Sequence, residues 1–374
     1  MRKTLLFFCL CLCAGIASAA EPQSTTDKIV IGDLTVMPGG NEAYFTVSLQ
    51  GSLIYTAYNM DIHLPEGLEV TYKSGKPNVK MTASAGSASS FYPSEWDDDD
   101  EIYTYSHKMV NSYGVVGDRW LRISCSSDEN AEFVATSGEL FKVYVKASPY
   151  MKPGEAHITV DGIGLFVKQD AEKYIPKENT DKVITVGTTS KVTVNVSAAN
   201  QWGTCVLPFS ASLPAGLTAY ECADADGDDL VLTKASSLEA YTPYILYAPT
   251  GYSSTLSGEV DAAQYVAVAT KGLLSGAIVS QTISAGYVLQ NQGDGAMFYD
   301  VNGDTFSVPE GKCWLCETAL LGKERYGFEQ EASIIECVSK SASHDAIYNI
   351  HGIAVEKMNS GNIYIINNKK VLVK

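Results

Sequence analysis

The stretch 82–101, T-A-S-A-G-S-A-S-S-F-Y-P-S-E-W-D-D-D-D-E, sets the aromatics Phe91, Tyr92 and Trp96 just ahead of the consecutive aspartates Asp97, Asp98, Asp99 and Asp100. Large rings among small polar residues have few core neighbours in their own segment. The stretch therefore predicts a ligand-facing loop, with the rings stacking on a sugar or a partner protein. The aspartates supply the hard oxygen donors that Ca²⁺ takes. The competing reading is a solvated charge run, with the rings folded back over the edge of the fold.

Other candidates for chemistry fail on spacing. Asp224, Asp226, Asp228 and Asp229 surround Gly227 and invite a calcium loop. With Gly227 sixth, however, Cys222 falls where an aspartate is needed first and Thr233 where a bidentate Glu is needed twelfth. An acidic turn between strands is expected instead. Cys313 and Cys316 have C-x-x-C spacing, but V-P-E-G-K-C-W-L-C-E reads as a turn into a strand, whereas a thioredoxin-like pair needs a helix starting there. His63, His107, His157, His344 and His351 show no local zinc spacing, and no G-x-S-x-G elbow occurs. Paired carboxylates for glycoside cleavage are defined only in space, so a secreted polysaccharide hydrolase stands as the alternative to a binding function.

The chain of 374 residues opens with basic Arg2 and Lys3, an apolar run from Leu5 to Cys13, and small residues at Ala17, Ser18 and Ala19. This is the pattern of a secretory signal peptide, 1–19, cleaved after Ala19. The formal charge is −16, and loss of Arg2 and Lys3 would leave −18. Such a charge, with Arg119, Arg122 and Arg325 as the remaining arginines, argues against a nucleic-acid partner. Beyond the leader lie Cys125, Cys205, Cys222, Cys313, Cys316 and Cys337. Export permits disulfides, but spacing chooses no pairing, and burial as small apolar side chains is the expectation.

The elements that must position these residues are strands. Phe45, Val47 and Leu49 alternate with Tyr44, Thr46 and Ser48; Tyr58, Met60, Ile62 and Leu64 share one face while Asn59, Asp61 and His63 share the other. Alternation of this kind marks half-buried strands, and the turn signals between them predict a sandwich over 28–186. Within it, Y-N-M-D-I-H-L-P-E-G-L-E-V, R-W-L-R-I-S-C-S-S and S-G-E-L-F-K-V-Y-V-K-A-S resemble strand segments of cohesin-like β-sandwich domains. The resemblance implies a jelly-roll-like, non-catalytic domain that binds a protein module or a glycan through a sheet face or loops.

Residues 187–191 read as a linker. A second β-rich module is expected over 191–338. Its Q-W-G-T-C-V-L-P-F-S, A-Y-T-P-Y-I-L-Y and S-A-G-Y-V-L-Q resemble a module that precedes sorting tails in exported proteins. Trp202 and Pro208 are expected there as packing and turn residues. The end, 346–374, reads as four short strands. It resembles the C-terminal sorting-type tail of proteins exported to the surface of Gram-negative anaerobes, through I-Y-N-I, Gly352, Val355, I-Y-I-I-N and K-K-V-L-V-K. That implies export machinery as a partner; the other reading of these strands is a cap over a neighbouring sheet edge. The whole reads as an all-β, exported, non-catalytic adhesion or binding protein for a glycan or surface protein module, with a structural spacer as a further alternative.

Overall fold

A computed structural model describes residues 22–82, 87–114, 119–168, 173–293, 295–301, 303–316 and 323–328, and the backbone of four strands beyond 346. The expected leader with its cleavage after Ala19, and Cys337, His344 and His351, lie outside the described residues. All regular structure described is strand. Up to Phe328 these strands belong to one compact unit, and the tail strands to a second.

The first region is a two-sheet sandwich. The large sheet runs in the order Gln23–Thr25, Lys173–Pro176, Gly154–Phe166, Ala57–Leu64, Arg119–Ser127, His107–Gly114, with Thr180–Val186 pairing to the first half of Gly154–Phe166. The small sheet runs Lys28–Ile31, Ala43–Gln50, Gly138–Ala147, Leu68–Val70, with Val79–Met81 also on Gly138–Ala147. The period-two pattern explains the layering, since successive side chains of a strand point to opposite faces. Phe45, Val47, Leu49, Phe141, Val143 and Val145 meet Tyr58, Met60, Ile62, Leu121, Ile123, Ile158 and Val160 in one core. Burying each such side chain contributes about 1.5–3 kcal/mol.

Asp27 and His107 are among the polar groups buried in this sandwich. The Asp27 carboxylate accepts hydrogen bonds from Ser52 N (2.9 Å), Ser52 Oγ (2.9 Å), Leu53 N (3.3 Å) and the Tyr55 hydroxyl (2.7 Å). Burial alone would raise its pKa, but these donors together outweigh burial and hold it below the ordinary carboxylate range. His107 is buried, with Nε2 2.9 Å from the Thr56 carbonyl and Nδ1 3.1 Å from Ser106 Oγ. Burial pushes its pKa below the ordinary value of 6.5. The unfolded chain therefore takes up a proton that the folded chain refuses, and the stabilising difference is present above about pH 6.5 and lost as pH falls. Thermal melts from pH 7.5 to 5.5 are expected to show a falling Tm, with a shallower fall in His107→Gln; an unchanged slope in the variant would remove His107 as the cause.

The second region is a ten-stranded sheet from Trp202–Val206 through Pro243–Tyr247, Thr218–Asp226, Asp229–Lys234, Arg325–Phe328, Ala296–Asp300, Tyr287–Asn291 and Cys313–Leu315 to Leu274–Ala277 and Val268–Lys271. The sheet rolls so that its first strand meets the strand Cys313–Leu315 of its other half. Val206 N donates to the Gly311 carbonyl (3.2 Å), and Cys313 N to Thr204 Oγ1 (3.0 Å). The roll encloses a second core with Leu207, Phe209, Tyr244, Leu246, Tyr287 and Phe298. Trp202 stacks on Phe328 at 3.9 Å between ring centroids, the packing role expected of it.

The linker expected at 187–191 is not one. Gly187 N donates to the Val36 carbonyl (2.8 Å) and Lys191 N to Pro38 (3.0 Å), while strand Thr189–Val196 has already begun. Tyr150, a loop residue of the sandwich, packs into the second core and donates its hydroxyl to the Val206 carbonyl (3.1 Å). Gly311 makes that insertion feasible: its φ is +77°, and a Cβ there would lie 2.2 Å from the Tyr150 hydroxyl oxygen. The tail forms a separate antiparallel sheet in the order Ala354–Val355, Ile347–Asn349, Ile363–Ile366, Lys369–Leu372. Four short strands were the expectation there.

Candidate binding face

The aromatic–acidic stretch divides into two parts. Phe91 and Tyr92 are 1% and 0% exposed, which removes both as ligand-stacking residues. Ser89 Oγ accepts from Phe91 N (3.1 Å) and Tyr92 N (3.0 Å), turning the chain so that both rings enter the core against Phe133. The Tyr92 hydroxyl donates to the Leu140 carbonyl and stands 2.8 Å from the Tyr58 hydroxyl, so Tyr58 is the donor in that pair. The physical reason is hydrophobic burial: two rings gain more by closing the sandwich than by facing water. Residues 83–86 of the same stretch lie outside the described residues.

Trp96 behaves differently. It sits on the hairpin Ser94–Asp97 with Ile102–Tyr105, is 47% exposed, and meets Tyr103 edge-on at 4.9 Å across the ladder. The aspartates form the turn of that hairpin. Asp97 Oδ1 accepts from Asp99 N (3.0 Å) and Asp100 N (3.3 Å), so one carboxylate oxygen is already used in shaping the turn. Among the described residues, no three His, Cys, Asp or Glu side chains are grouped to hold a metal ion. The four aspartates are thus not grouped as the joint Ca²⁺ site expected of them. The second acidic run is the tip of the hairpin Thr218–Asp226 with Asp229–Lys234, as its failed loop register implied. Cys125, Cys205, Cys222 and Cys313 are free and buried, and Cys313 begins a strand, which leaves no helix N-terminus to lower its pKa.

A second set of chemistry-bearing side chains gathers on the outer face of the large sheet. Register places Ser112, Arg122, Asp61 and Asp161 in one row across four strands, and Gly114, Trp120, His63 and Thr159 in the next. Arg122 grips Asp61 through both prongs, Nε to Oδ1 at 2.7 Å and Nη2 to Oδ2 at 2.6 Å. Those hydrogen bonds, with the guanidinium charge, hold the Asp61 pKa below the ordinary range. His63 Nε2 lies 3.2 Å from Asp161 Oδ1. The Arg122 guanidinium stands 5.4 Å from the Trp120 ring, in cation–π range.

Trp120 can lie flat because of its neighbour in register. A Cβ on Gly114 would sit 2.7 Å from the indole, so glycine leaves a shelf for the ring. Beside this shelf Val110 is 71% exposed, and Lys108, Ser112 and Ser124 face water with it. Adjacent rows of this face carry an aromatic, an arginine, an exposed aliphatic and pre-oriented carboxylates on a four-stranded platform. This composition suits recognition: ordered charges set register, while Trp and Arg supply contact area. Asn59, Asp61 and His63 were legible as an outward face from alternation. Trp120 and Arg122 were missed, although R-W-L-R puts them on that same face opposite Leu121 and Ile123.

No protein-family model matches the chain, and no curated protein matches it. Solved structures do. A non-cellulosomal cohesin from the archaeon Archaeoglobus fulgidus is 15% identical, with a TM-score of 0.28 over 43% of this chain and 91% of that one. The seventh ScaB type I cohesin of Pseudobacteroides cellulosolvens is 13% identical, with a TM-score of 0.30 over 43% and 92%. The third ScaC cohesin of Acetivibrio cellulolyticus, solved in complex with the ScaB dockerin, is 12% identical, with a TM-score of 0.29 over 43% and 98%. At these scores the likeness concerns strand arrangement over less than half of the chain and transfers no partner.

Proposed function

We propose that this chain is a non-catalytic binding protein exported to the cell surface, and that the outer face of its large sheet receives a folded protein module. The observation that carries the reading is the outward face around Trp120 and Arg122, with Arg122 already fixed on Asp61 at 2.6–2.7 Å. Pre-ordered charges suit a protein partner, because fewer side chains must be immobilised on association. The cohesin-like motifs read from the sequence point the same way, and a dockerin-type module is the first partner to try. Trp96 remains in the proposal as an exposed aromatic contact on its hairpin. Export rests on the leader pattern at 1–19 and on the sorting-type tail.

The test uses the chain without its leader against a panel of dockerin modules, with polysaccharide hydrolysis assayed in parallel. Binding to at least one module without release of sugar is expected. Release of reducing ends, abolished by a single carboxylate substitution, would replace this reading with the hydrolase alternative.

A further inference from the structure

The small sheet has its own exposed outer face, on the opposite side of the sandwich, and its chemistry is different. Tyr44 and Tyr144 stand directly opposite each other in register, with ring centroids 5.5 Å apart and planes at 43°. Lys80 Nζ lies 4.5 Å from the Tyr144 centroid and Lys142 Nζ 4.9 Å from the Tyr44 centroid. Tyr44 is 48% exposed. Two positions beyond Tyr144 on the same strand face, Lys146 lines a crevice of about 260 Å³ with Lys191 and Lys312. The row of rings therefore runs into a cluster of lysines where the sandwich meets the rolled sheet. In a chain of formal charge −16, five lysines gather along this one track. Carboxylates are interleaved with it: Glu139 lies 3.9 Å from Lys142, Glu69 stands opposite Lys146 in register, and Glu310 lines the crevice, where burial raises its pKa and Ser148 donates to it.

We infer that this track, Lys80, Lys142, Tyr44, Tyr144, Lys146 and the crevice lysines, binds an anionic polysaccharide. Pyranose C–H faces pack on the two tyrosine rings, and the lysines take the carboxylate or sulfate groups. An acidic peptide fits less well. Gly138–Ala147, which carries Lys142, Tyr144 and Lys146, is flanked by paired strands on both sides, so it offers a peptide no free edge. The site is separate from the large-sheet face and does not depend on its partner.

The experiment measures binding of the chain without its leader to polygalacturonate, to heparin and to neutral dextran, at rising salt. Binding to one or both polyanions, weakening as salt rises, and none to dextran is the expected result; which polyanion binds distinguishes carboxylate from sulfate recognition. Tyr44→Ala with Tyr144→Ala is expected to weaken binding at least tenfold, and Lys80→Glu with Lys142→Glu and Lys146→Glu to abolish it. The lysine variant leaves both rings in place and guards against a folding artefact in the first. Equal binding to dextran, no binding to either polyanion, or binding unchanged in the lysine variant would each overturn the inference. Dockerin binding at the large-sheet face is unaffected by any of these results, so the two proposals fail independently.

Discussion

Replacing Trp120 by Ala together with Arg122 by Glu is expected to weaken capture of a protein module by more than about 100-fold, with the fold retained at a lower Tm. Truncating a central aromatic or arginine of an interface commonly costs ≥2 kcal/mol, and two such losses correspond to roughly a thousandfold before non-additivity. The charge reversal adds to this. Asp61 loses its bidentate partner and faces a new carboxylate, in a row that already holds Asp161. The fold is spared because both side chains point outward; Leu121 and Ile123, the inward members of the strand, are untouched and fully buried. Titration of a module against both proteins, with melts alongside, measures the effect. Equal affinity with an intact fold would mean that the partner sits elsewhere.

Asp27→Ala carries the largest expected effect on stability, a loss of about 2–4 kcal/mol. Four donors converge on this carboxylate, among them the hydroxyl of Tyr55, which is 0% exposed. Leaving buried donors unpaired costs about 1–3 kcal/mol each, and water reaching the 51–53 loop recovers part of the sum. Because its folded pKa lies below the unfolded value, the Asp27 contribution is present above about pH 4 and disappears as pH falls through the folded pKa. The gap between the wild type and Asp27→Ala in denaturant melts should therefore narrow from pH 7 to pH 3. A constant gap at both pH values would mean that the hydrogen bonds of the ionised form are not its source.

Much of the sandwich was readable in the strand pattern. The alternation from Tyr58 to Leu64 is governed by local geometry, so it gave the inward and outward faces of that strand without knowledge of its neighbours. Pairing partners are non-local. Nothing near Arg122 in the chain announces that Asp61 will stand opposite it, and the bidentate pair appears only when the strands are in register. Burial of Phe91 and Tyr92 was misjudged for a related reason. Their small polar neighbours describe the turn at Ser89 correctly, but the void those rings fill is made by Phe133, Leu140 and His107 from elsewhere in the chain. The run of aspartates shows the same limit of local counting. Ligand number was present in sequence, and convergence, which only the backbone path supplies, was not.

The linker expected at 187–191 failed because composition reports turn preference and not capture. Gly187, Thr188, Thr189 and Ser190 are ordinary linker residues, yet the carbonyls of Val36 and Pro38 take up the flanking N–H groups and the next strand starts at once. Tyr150 deepens the continuity by joining the second core from a sandwich loop. A single Gly, at 311, is what lets that ring in.

The central claim is that the large-sheet face around Val110, Trp120 and Arg122 receives a protein module. The most direct measurement places a photo-crosslinking side chain at Val110, with Thr233 of the rolled sheet as the control position, and irradiates the chain mixed with a dockerin module that it binds. A covalent adduct from position 110 and none from position 233 is the expected result. Equal adducts from both, or an adduct from 233 alone, would contradict the account.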